Sequence, residues 1–255
     1  MTIPLNDHMS EVISEKDLKI GNTTLTPNKI SISFSKQVEK RSPVGFIGID
    51  TNLENATCFD DTDRVSVIDM SKIVSIKMRY RDVMSHFTRN DVRIQKKLKI
   101  KYGQKQKNKE DAFLHEKSSK IVSSGRQIFL ENLNGMRKLY RKGTSHSKRF
   151  RFRLNSWSRF KLHNMMDYKS RWRNGFPVIY VNPKGTSSKC SICGAKVLEE
   201  SRDVSCPRCG LHIDRDVNAA RNILARGMQF VPDALASEAM VQEPATGSTP
   251  ESRCK

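Results

Sequence analysis

The sequence lacks any long apolar stretch. Its longest apolar runs, residues 44–49 and 177–181 of 255, are only strand-sized, whereas a membrane-spanning helix needs roughly 20 apolar residues. The first ten residues include an aspartate and no apolar run, so no secretory signal is expected. We therefore expect an intracellular protein with no membrane partner, long enough to bury the core of one sizeable domain.

Acidic side chains are scarce in two parts of the chain. Residues 77–109 hold 12 lysines and arginines against two acids, and residues 137–173 hold 13 against one. These two segments together carry a net charge of +22. The whole chain has a formal net charge of +19, so the residues outside the two segments are slightly acidic in sum. Concentrated positive charge is typical of proteins that bind a polyanion, because each neutralised phosphate releases counterions. Two alternative roles for this charge are to keep the protein soluble and to bind an anionic membrane surface.

Short apolar segments alternate with longer basic ones. Strand patterns occur at residues 29–34, 44–50, 56–59, 64–68, 127–131 and 177–181. Helical patterns occur at residues 83–102, 112–122, 150–168 and 218–226. A break is expected at residues 103–108, between the first two helices. Three neighbouring strands followed by alternating helices and strands predict the α/β class, with a mixed sheet flanked by helices.

Two of the predicted strands end in a carboxylate, Asp50 and Glu131. In open α/β sheets, reactive groups gather where neighbouring strands end. A single acid in such a position is more often a turn or helix-cap residue. The hypothesis of a catalytic site therefore depends on the joint placement of several acids.

Four of the six cysteines form two Cys-x-x-Cys pairs with 12 residues between them, and a glycine follows each pair. The four residues are Cys190, Cys193, Cys206 and Cys209. Two such pairs supply the tetrahedral thiolate set that zinc prefers. Because four thiolates leave no open coordination position, we predict one structural zinc ion. Disulfides are the alternative but are rare in reducing compartments, and a redox Cys-x-x-Cys motif accounts for one pair only.

Three separated motifs resemble those of one family. The runs GID at residues 48–50, FLENL at residues 129–133 and DRDVNAA at residues 214–220 look like the three RuvC motifs of TnpB/OrfB proteins. Such proteins are encoded by bacterial and archaeal insertion sequences and resemble the compact type V CRISPR effectors. Residues 182–190 also resemble the family's approach to its zinc knuckle, and the resemblance covers roughly residues 30–230.

The resemblance implies an RNase H-like (RuvC) mixed sheet flanked by helices, with an inserted four-cysteine zinc ribbon. Matched motif by motif, the catalytic carboxylates are Asp50, Glu131 and Asp216, and Asp214 is the alternative for the third position. These acids would bind two magnesium or manganese ions, because carboxylates are hard oxygen ligands. Few basic residues are expected around them, which leaves room for the cations.

The implied function is that of a transposon-encoded, metal-dependent DNA endonuclease that acts with a transposon-derived guide RNA in a prokaryotic cytoplasm, at the nucleoid. The predicted nucleic-acid contacts are Arg79, Arg81, Arg93, Lys96, Lys97, Lys99, Arg149, Arg151 and Arg153. Arginines alternate with aromatic residues in the second basic segment, where exposed rings could stack on single-stranded bases and others belong to the core. The alternatives are a nucleic-acid-binding zinc protein of the same fold without cleavage activity, and a host-recruited resolvase or regulator.

The family pattern also predicts domain boundaries. The expected segments are 1–42 as a disordered region or wedge-domain remnant, 43–182 as the nuclease core with its basic helices, 183–212 as the zinc ribbon, 213–232 as the third motif and its helix, and 233–255 as a disordered tail. Only 49 residues precede Asp50, so we expect a truncated copy in which the region that reads a target-adjacent motif is largely missing. Asn52 stands where many relatives have glycine.

Overall fold

The computed structural model describes residues 7–15, 17–27, 29–87, 91–134 and 147–232. The segment 233–255 and residues 135–146 of the second basic segment lie outside these described residues. The first elements are helix α1 (Asp7–Ile13) and an antiparallel hairpin of β1 (Lys19–Thr26) and β2 (Lys29–Ser35). The second strand of this hairpin coincides with the strand predicted at residues 29–34.

A five-stranded mixed sheet forms the centre of the fold. Its strands are β3 (Phe46–Thr51), β4 (Asn55–Asp60), β5 (Val65–Asp69), β6 (Gln127–Glu131) and β7 (Ile179–Val181). The spatial order is β5-β4-β3-β6-β7, with an antiparallel meander from β3 to β5 and parallel pairing of β3 with β6 and of β6 with β7. Both β3 and β6 are buried almost throughout, as expected for strands covered on both faces. The predicted mixed α/β class is confirmed.

Alternate side chains of the central strands belong to two separate core layers. One layer packs Ile47 and Ile49 of β3 against helices α2 (Ser71–Ser85), α3 (Val92–Val122) and α5 (Arg159–Asn174). The other packs Phe46 and Phe129 against helix α6 (Arg215–Met228). The period-two alternation of strand side chains therefore places helices on both faces of the sheet.

Helix α6 approaches the sheet very closely at Gly48. A Cβ atom at this position would lie 2.4 Å from the Ala220 carbonyl oxygen and 2.5 Å from the Leu224 nitrogen. Any side chain larger than hydrogen would push the helix away from β3. The lack of a side chain at Gly48 therefore allows α6 to pack directly on β3. This packing brings Asp216, in the first turn of α6, close to Asp50 at the end of β3.

Three helical predictions differ from the structure. The single helix predicted at residues 83–102 is wrong, because α2 ends at Ser85 and α3 begins at Val92, where Asp91 caps it. Helix α3 continues through residues 103–108 for a total of 31 residues, because one glycine costs only about 1 kcal/mol and its lysine and glutamine neighbours are good helix formers. The single helix predicted at residues 150–168 is instead two helices, α4 (Lys148–Asn155) and α5. The chain leaves the helical conformation at residues 156–158, which include neither glycine nor proline.

The cysteine pairs belong to a small separate sheet. Its strands are β8 (Leu198–Glu200), β9 (Asp203–Ser205) and β10 (His212–Asp214), in the antiparallel order β10-β9-β8. Val197 and Val204 form its core together with Cys190 and Cys206. The last strand leads directly into α6, so the sheet and the third motif are covalently and spatially continuous.

Candidate active site and metal centre

Asp50, Glu131 and Asp216 line one cavity of about 310 Å³, called here the carboxylate cavity. Parallel pairing brings the ends of β3 and β6 to the same edge of the sheet, and α6 adds Asp216 from its first turn. Asp50 and Asp216 are buried, and Glu131 is half-buried. The structure therefore brings together the three acids that the motifs indicate.

Burial raises the pKa of two of these acids, and repulsion from neighbouring carboxylates adds to the effect at Asp50. Burial, followed by the charges of Glu131 and Asp216, raises the pKa of Asp50 to about 7. Burial also raises the pKa of Glu131, although a hydrogen bond donated by the Thr186 hydroxyl and nearby arginines oppose this shift. A divalent cation would remove the repulsion and favour the ionised acids.

Two asparagines hold the aspartates in place. The Asn52 amide donates a 2.9 Å hydrogen bond to Asp50 Oδ2, and the Asn55 amide donates a 3.3 Å hydrogen bond to Asp216 Oδ2. The carbonyl oxygen of Asn55 is buried and has no hydrogen-bond partner among the described residues. A buried oxygen without a partner beside a carboxylate is a suitable additional ligand for a hard cation.

The two aspartates predicted as alternatives for the third carboxylate have different surroundings in the structure. Asp214 accepts hydrogen bonds from the backbone N–H groups of Asp216 at 2.8 Å and Val217 at 3.2 Å. It is therefore the N-cap of α6. Asp216, and not this capping residue, faces Asp50 across the carboxylate cavity.

Two arginines contact Asp216, although few basic residues were expected around the acids. Arg202 Nη2 lies 3.2 Å from Asp216 Oδ2, and Arg215 Nε lies 3.8 Å from Asp216 Oδ1. Arg202 lies in the turn between β8 and β9, and its carbonyl oxygen accepts a 2.8 Å hydrogen bond from the Arg215 backbone. Sequence reasoning missed Arg202 because only the docking of this turn on α6 brings it to Asp216.

The four cysteine sulfurs lie within 4.8 Å of one another and form the one such ligand group found among the described residues. The Sγ atoms of Cys190 and Cys209, and those of Cys193 and Cys206, are 3.5 Å apart. These separations are far longer than the roughly 2.05 Å of a disulfide bond. They approach the roughly 3.8 Å edge of a tetrahedron with 2.3 Å zinc–sulfur bonds. The cluster can therefore bind a metal ion such as zinc.

The two cysteine pairs have the same local backbone. The Gly194 N–H donates a 3.0 Å hydrogen bond to the Cys190 carbonyl oxygen, and the Gly210 N–H donates a 2.9 Å bond to that of Cys206. Both glycines have a positive φ, of 73° and 75°, a conformation that side-chain-bearing residues rarely adopt. The glycine after each pair is therefore required by the turn that aims the two thiols at one point.

Asparagines of α6 tie this cysteine cluster to the carboxylate cavity. The Asn218 side chain, fully buried, accepts a 3.0 Å hydrogen bond from the Ser191 N–H and donates a 2.8 Å bond to the Lys189 carbonyl oxygen. Asn222 donates to the carbonyl oxygens of Lys189 and Thr186, at 2.8 and 2.7 Å. The backbone around the first cysteine pair therefore fixes the helix whose first turn carries the third carboxylate.

The predicted nucleic-acid contacts lie on α2, α3 and α4. Those of the first two helices are exposed: Arg79, Arg81, Arg93, Lys96, Lys97 and Lys99. Those of α4 are Arg149, Arg151 and Arg153, of which Arg153 is exposed and pairs with Glu54 at 2.6 Å. Among those whose side chains the structure describes, which excludes Arg149, none lines the carboxylate cavity. Across the described part of the chain, no helix combines the length and apolarity needed to cross a membrane.

A buried histidine beside β3 gives a test of the packing behind the cavity. His163 of α5 has Nε2 3.0 Å from the Thr51 hydroxyl, and burial, followed by the charge of Arg159, lowers its pKa to about 3. Unfolded histidine titrates near 6.5, so between these values only the unfolded state gains the proton, and acid destabilises the fold. Lowering the pH from 7.5 to 5.5 should reduce the free energy of unfolding of both proteins. The reduction in His163→Gln is expected to be about 1.3 kcal/mol smaller than in the wild type, measured by urea denaturation.

His86→Gln makes the same replacement at an exposed histidine and is the matched control. Its free energy of unfolding is expected to depend on pH as in the wild type. Equal losses for the wild type and His163→Gln over this range would show that His163 does not stay neutral in the fold.

Comparison with known proteins identifies relatives. Residues 157–223 match the family model of the Cas12f1-like TNB domain. The TnpB-like protein MJ0751 of Methanocaldococcus jannaschii is 30% identical over 244 residues, which cover 89% of this chain and 86% of that protein. The CRISPR-associated endodeoxyribonuclease Cas12f2 of a Micrarchaeota archaeon is 26% identical over 221 residues, which cover 78% of this chain and 40% of that protein.

A solved structure has a similar fold. The Cas12f1 chain in a complex with sgRNA and target DNA superposes with a TM-score of 0.54 at 18% identity, over 76% of this chain and 52% of that chain. The chain thus spans about half of Cas12f1 and less than half of Cas12f2, but most of MJ0751. Because its identity to MJ0751 reaches 30% across most of both chains, the protein belongs to the TnpB-like family.

Proposed function

We propose that this chain is a metal-dependent DNA endonuclease of transposon origin that acts with a guide RNA. The observation that carries the proposal is the carboxylate cavity, in which Asp50, Glu131 and Asp216 meet. Burying three acids together is costly unless cations neutralise them, as the raised pKa of Asp50 indicates. Perturbed acids that converge in a cavity are typical of functional sites.

The residues of the cavity fit a pair of hard cations. Asp50, Glu131 and Asp216 would hold two magnesium or manganese ions. Bound ions of this kind activate water and stabilise the leaving oxygen in phosphodiester hydrolysis.

Arg202 supplies the positive charge expected at a scissile phosphate. Its side chain is 69% exposed while its guanidinium touches Asp216, so it can turn from the carboxylate towards a phosphate that enters the cavity. Guanidinium groups bind phosphate oxygens through charge-assisted, bidentate hydrogen bonds. In this proposal Arg202 orients the DNA backbone, and Asn52 and Asn55 keep the aspartates aimed at it.

The strand order and the position of the motifs support an RNase H-like (RuvC) core. The antiparallel meander β3–β5 followed by parallel β6 and β7 places the first two motifs on adjacent parallel strands. We assign residues 43–182 to this core, 183–212 to a zinc ribbon and 213–232 to the third motif and its helix. Pairing of β10 with β9 extends the sheet of the ribbon to Asp214. We assign residues 1–42, with the β1–β2 hairpin, to a wedge domain.

Exposed charge supports DNA and RNA as partners. The basic residues of α2 and α3 form an accessible surface, and the solved Cas12f1 complex contains sgRNA and target DNA. Such surfaces bind the phosphate backbone without reading its sequence. In this proposal the basic helices hold the nucleic acid, and the carboxylate cavity receives a single strand.

The test is a cleavage assay with the purified chain. Single-stranded DNA incubated with Mg²⁺ or Mn²⁺, with and without the RNA that copurifies, is expected to be cleaved and to be protected by EDTA. Dependence on the RNA would show that a guide is needed. Tight DNA binding without cleavage under every metal condition would instead establish the alternative, a nucleic-acid-binding zinc protein of the same fold.

A further inference from the structure

We propose that Trp157 stacks on a base of the single-stranded substrate beside the three carboxylates. This inference deepens the proposed function, because it states how the same cavity would hold the nucleotide at the cleavage point. Trp157 is half-buried and is the one aromatic residue of the described chain that lines the carboxylate cavity. Phe160, three residues later, is 69% exposed and does not line it.

The helix is interrupted over the three residues centred on Trp157. Helix α4 ends at Asn155 and α5 begins at Arg159, although residues 156–158 contain no glycine or proline to break a helix. The interruption moves Trp157 out of the helical surface and into the wall of the cavity. A continuous helix would have satisfied the backbone hydrogen bonds more simply, so the interruption needs a specific cause.

A buried ion pair supplies that cause. Lys77 Nζ donates hydrogen bonds to the Ser156 carbonyl oxygen at 2.9 Å and to the Ser158 hydroxyl at 2.8 Å. Glu110 lies 3.2 Å from Lys77 and accepts a 2.5 Å hydrogen bond from the Ser158 hydroxyl. The side chains of Lys77 and Glu110 are only 15% and 10% exposed.

Buried ion pairs rarely stabilise a fold more than well-packed apolar residues would, and their better-attested use is to specify one conformation. Here the pair connects α2 and α3 to the residues on both sides of Trp157. Two helices therefore contribute buried charges to hold one turn in shape. That arrangement is expected for a functional side chain and not for a residue that only fills the core.

Arg159 orients the indole ring. Its guanidinium carbon lies 4.9 Å from the centre of the Trp157 ring, and its Nη1 donates a 3.0 Å hydrogen bond to the Leu133 carbonyl oxygen. Arg159 lines the two neighbouring cavities and not the carboxylate cavity. One of those neighbouring cavities is also lined by Glu131. The indole held by Arg159 adds a flat apolar surface to the carboxylate cavity, beside Leu133 and Pro183.

The chemistry of the two sides of the cavity matches the two parts of a nucleotide. Carboxylates with cations and arginine suit the phosphate, whereas an indole suits the flat face of any base. Stacking of this kind does not depend on base identity, because every base has a π-face. The geometry thus points to Trp157 as a residue that positions a single strand without reading its sequence.

Fluorescence tests the contact directly. The chain has two tryptophans, so Trp172→Phe leaves Trp157 as the only indole reporter, and Asp50→Ala in the same chain prevents cleavage during the titration. Oligothymidylate is expected to quench the remaining fluorescence, whereas an abasic oligomer of equal length and charge is not. Equal quenching by both oligomers, or binding of oligothymidylate seen by anisotropy without quenching, would overturn the proposal.

Cleavage kinetics give the second readout. Trp157→Ala is expected to raise the KM for single-stranded DNA by about 5- to 150-fold, the range that stacking of one base implies, with a smaller effect on kcat. Trp157→Phe should keep most of the affinity, and Phe160→Ala is the matched control. Equal loss of affinity for the normal and abasic oligomers in Trp157→Ala would show a structural role only. Quenching by oligothymidylate without any cleavage by the wild type would contradict the proposed nuclease and leave the stacking contact standing.

Discussion

Asp216→Asn is expected to lower the rate of Mg²⁺-dependent DNA cleavage by more than about 100-fold while DNA binding is retained. The change keeps the size of the side chain and removes one of the three charges in the carboxylate cavity. Changes that only touch the partners of metal ligands already cost 10–100-fold, so loss of a ligand charge should cost more. Single-turnover cleavage and electrophoretic binding, measured on the same preparations, separate the two effects.

Asp214→Asn is the matched control, because it makes the same substitution two residues away. Asparagine caps helices about as well as aspartate, so the hydrogen bonds to the N–H groups of residues 216 and 217 should persist. We expect cleavage within a few-fold of the wild type. A reversed result, with Asp214→Asn inactive and Asp216→Asn active, would show that the third carboxylate is assigned to the wrong residue. Wild-type activity in Asp216→Asn and in Asp50→Asn would refute the active site as a whole.

Loss of zinc is expected to unfold the small sheet and to inactivate the protein. Zinc bound by four thiolates contributes roughly 10–16 kcal/mol in small metal-dependent domains, and the core of this sheet otherwise consists of few apolar side chains. Cys206→Ala should therefore lose the metal and show a lower unfolding temperature. Metal analysis of the gently purified wild type is expected to give one zinc per chain.

The consequence should extend to catalysis. Asn218 and Asn222 bond to the backbone beside the first cysteine pair, so a disordered cluster would release the start of α6 and displace Asp216. Cys58→Ala is the matched control, because Cys58 is a buried thiol of β4 outside the cluster. A folded wild type that carries well under one zinc per chain would contradict the prediction, as would a metal-free Cys206→Ala variant that cleaves normally.

Local patterns in the sequence were enough to predict the metal centre and the strands that carry two of the acids. Two Cys-x-x-Cys pairs followed by glycine specify a thiolate cluster, because the turn that aims the thiols spans only five residues. Asp50 and Glu131 follow buried apolar runs, and such runs form strands whose ends can be located from hydrophobicity alone. Asp216 was preferred to Asp214 from the motif alone, and the hydrogen bonds by which Asp214 caps α6 are consistent with that assignment.

Residue patterns were enough to predict the α/β class, the strand ends with their acids, the cysteine cluster and the family, because each depends on residues close together in the chain or on motif order. The packing of distant segments determines that Arg202 and Asn55 reach Asp216. It also decided that the helix predicted at residues 150–168 opens at Trp157, because the ion pair holding that turn comes from residues 79 and 48 positions away. Contacts between side chains so distant in the chain arise only when helices pack on the sheet, and no local pattern encodes them.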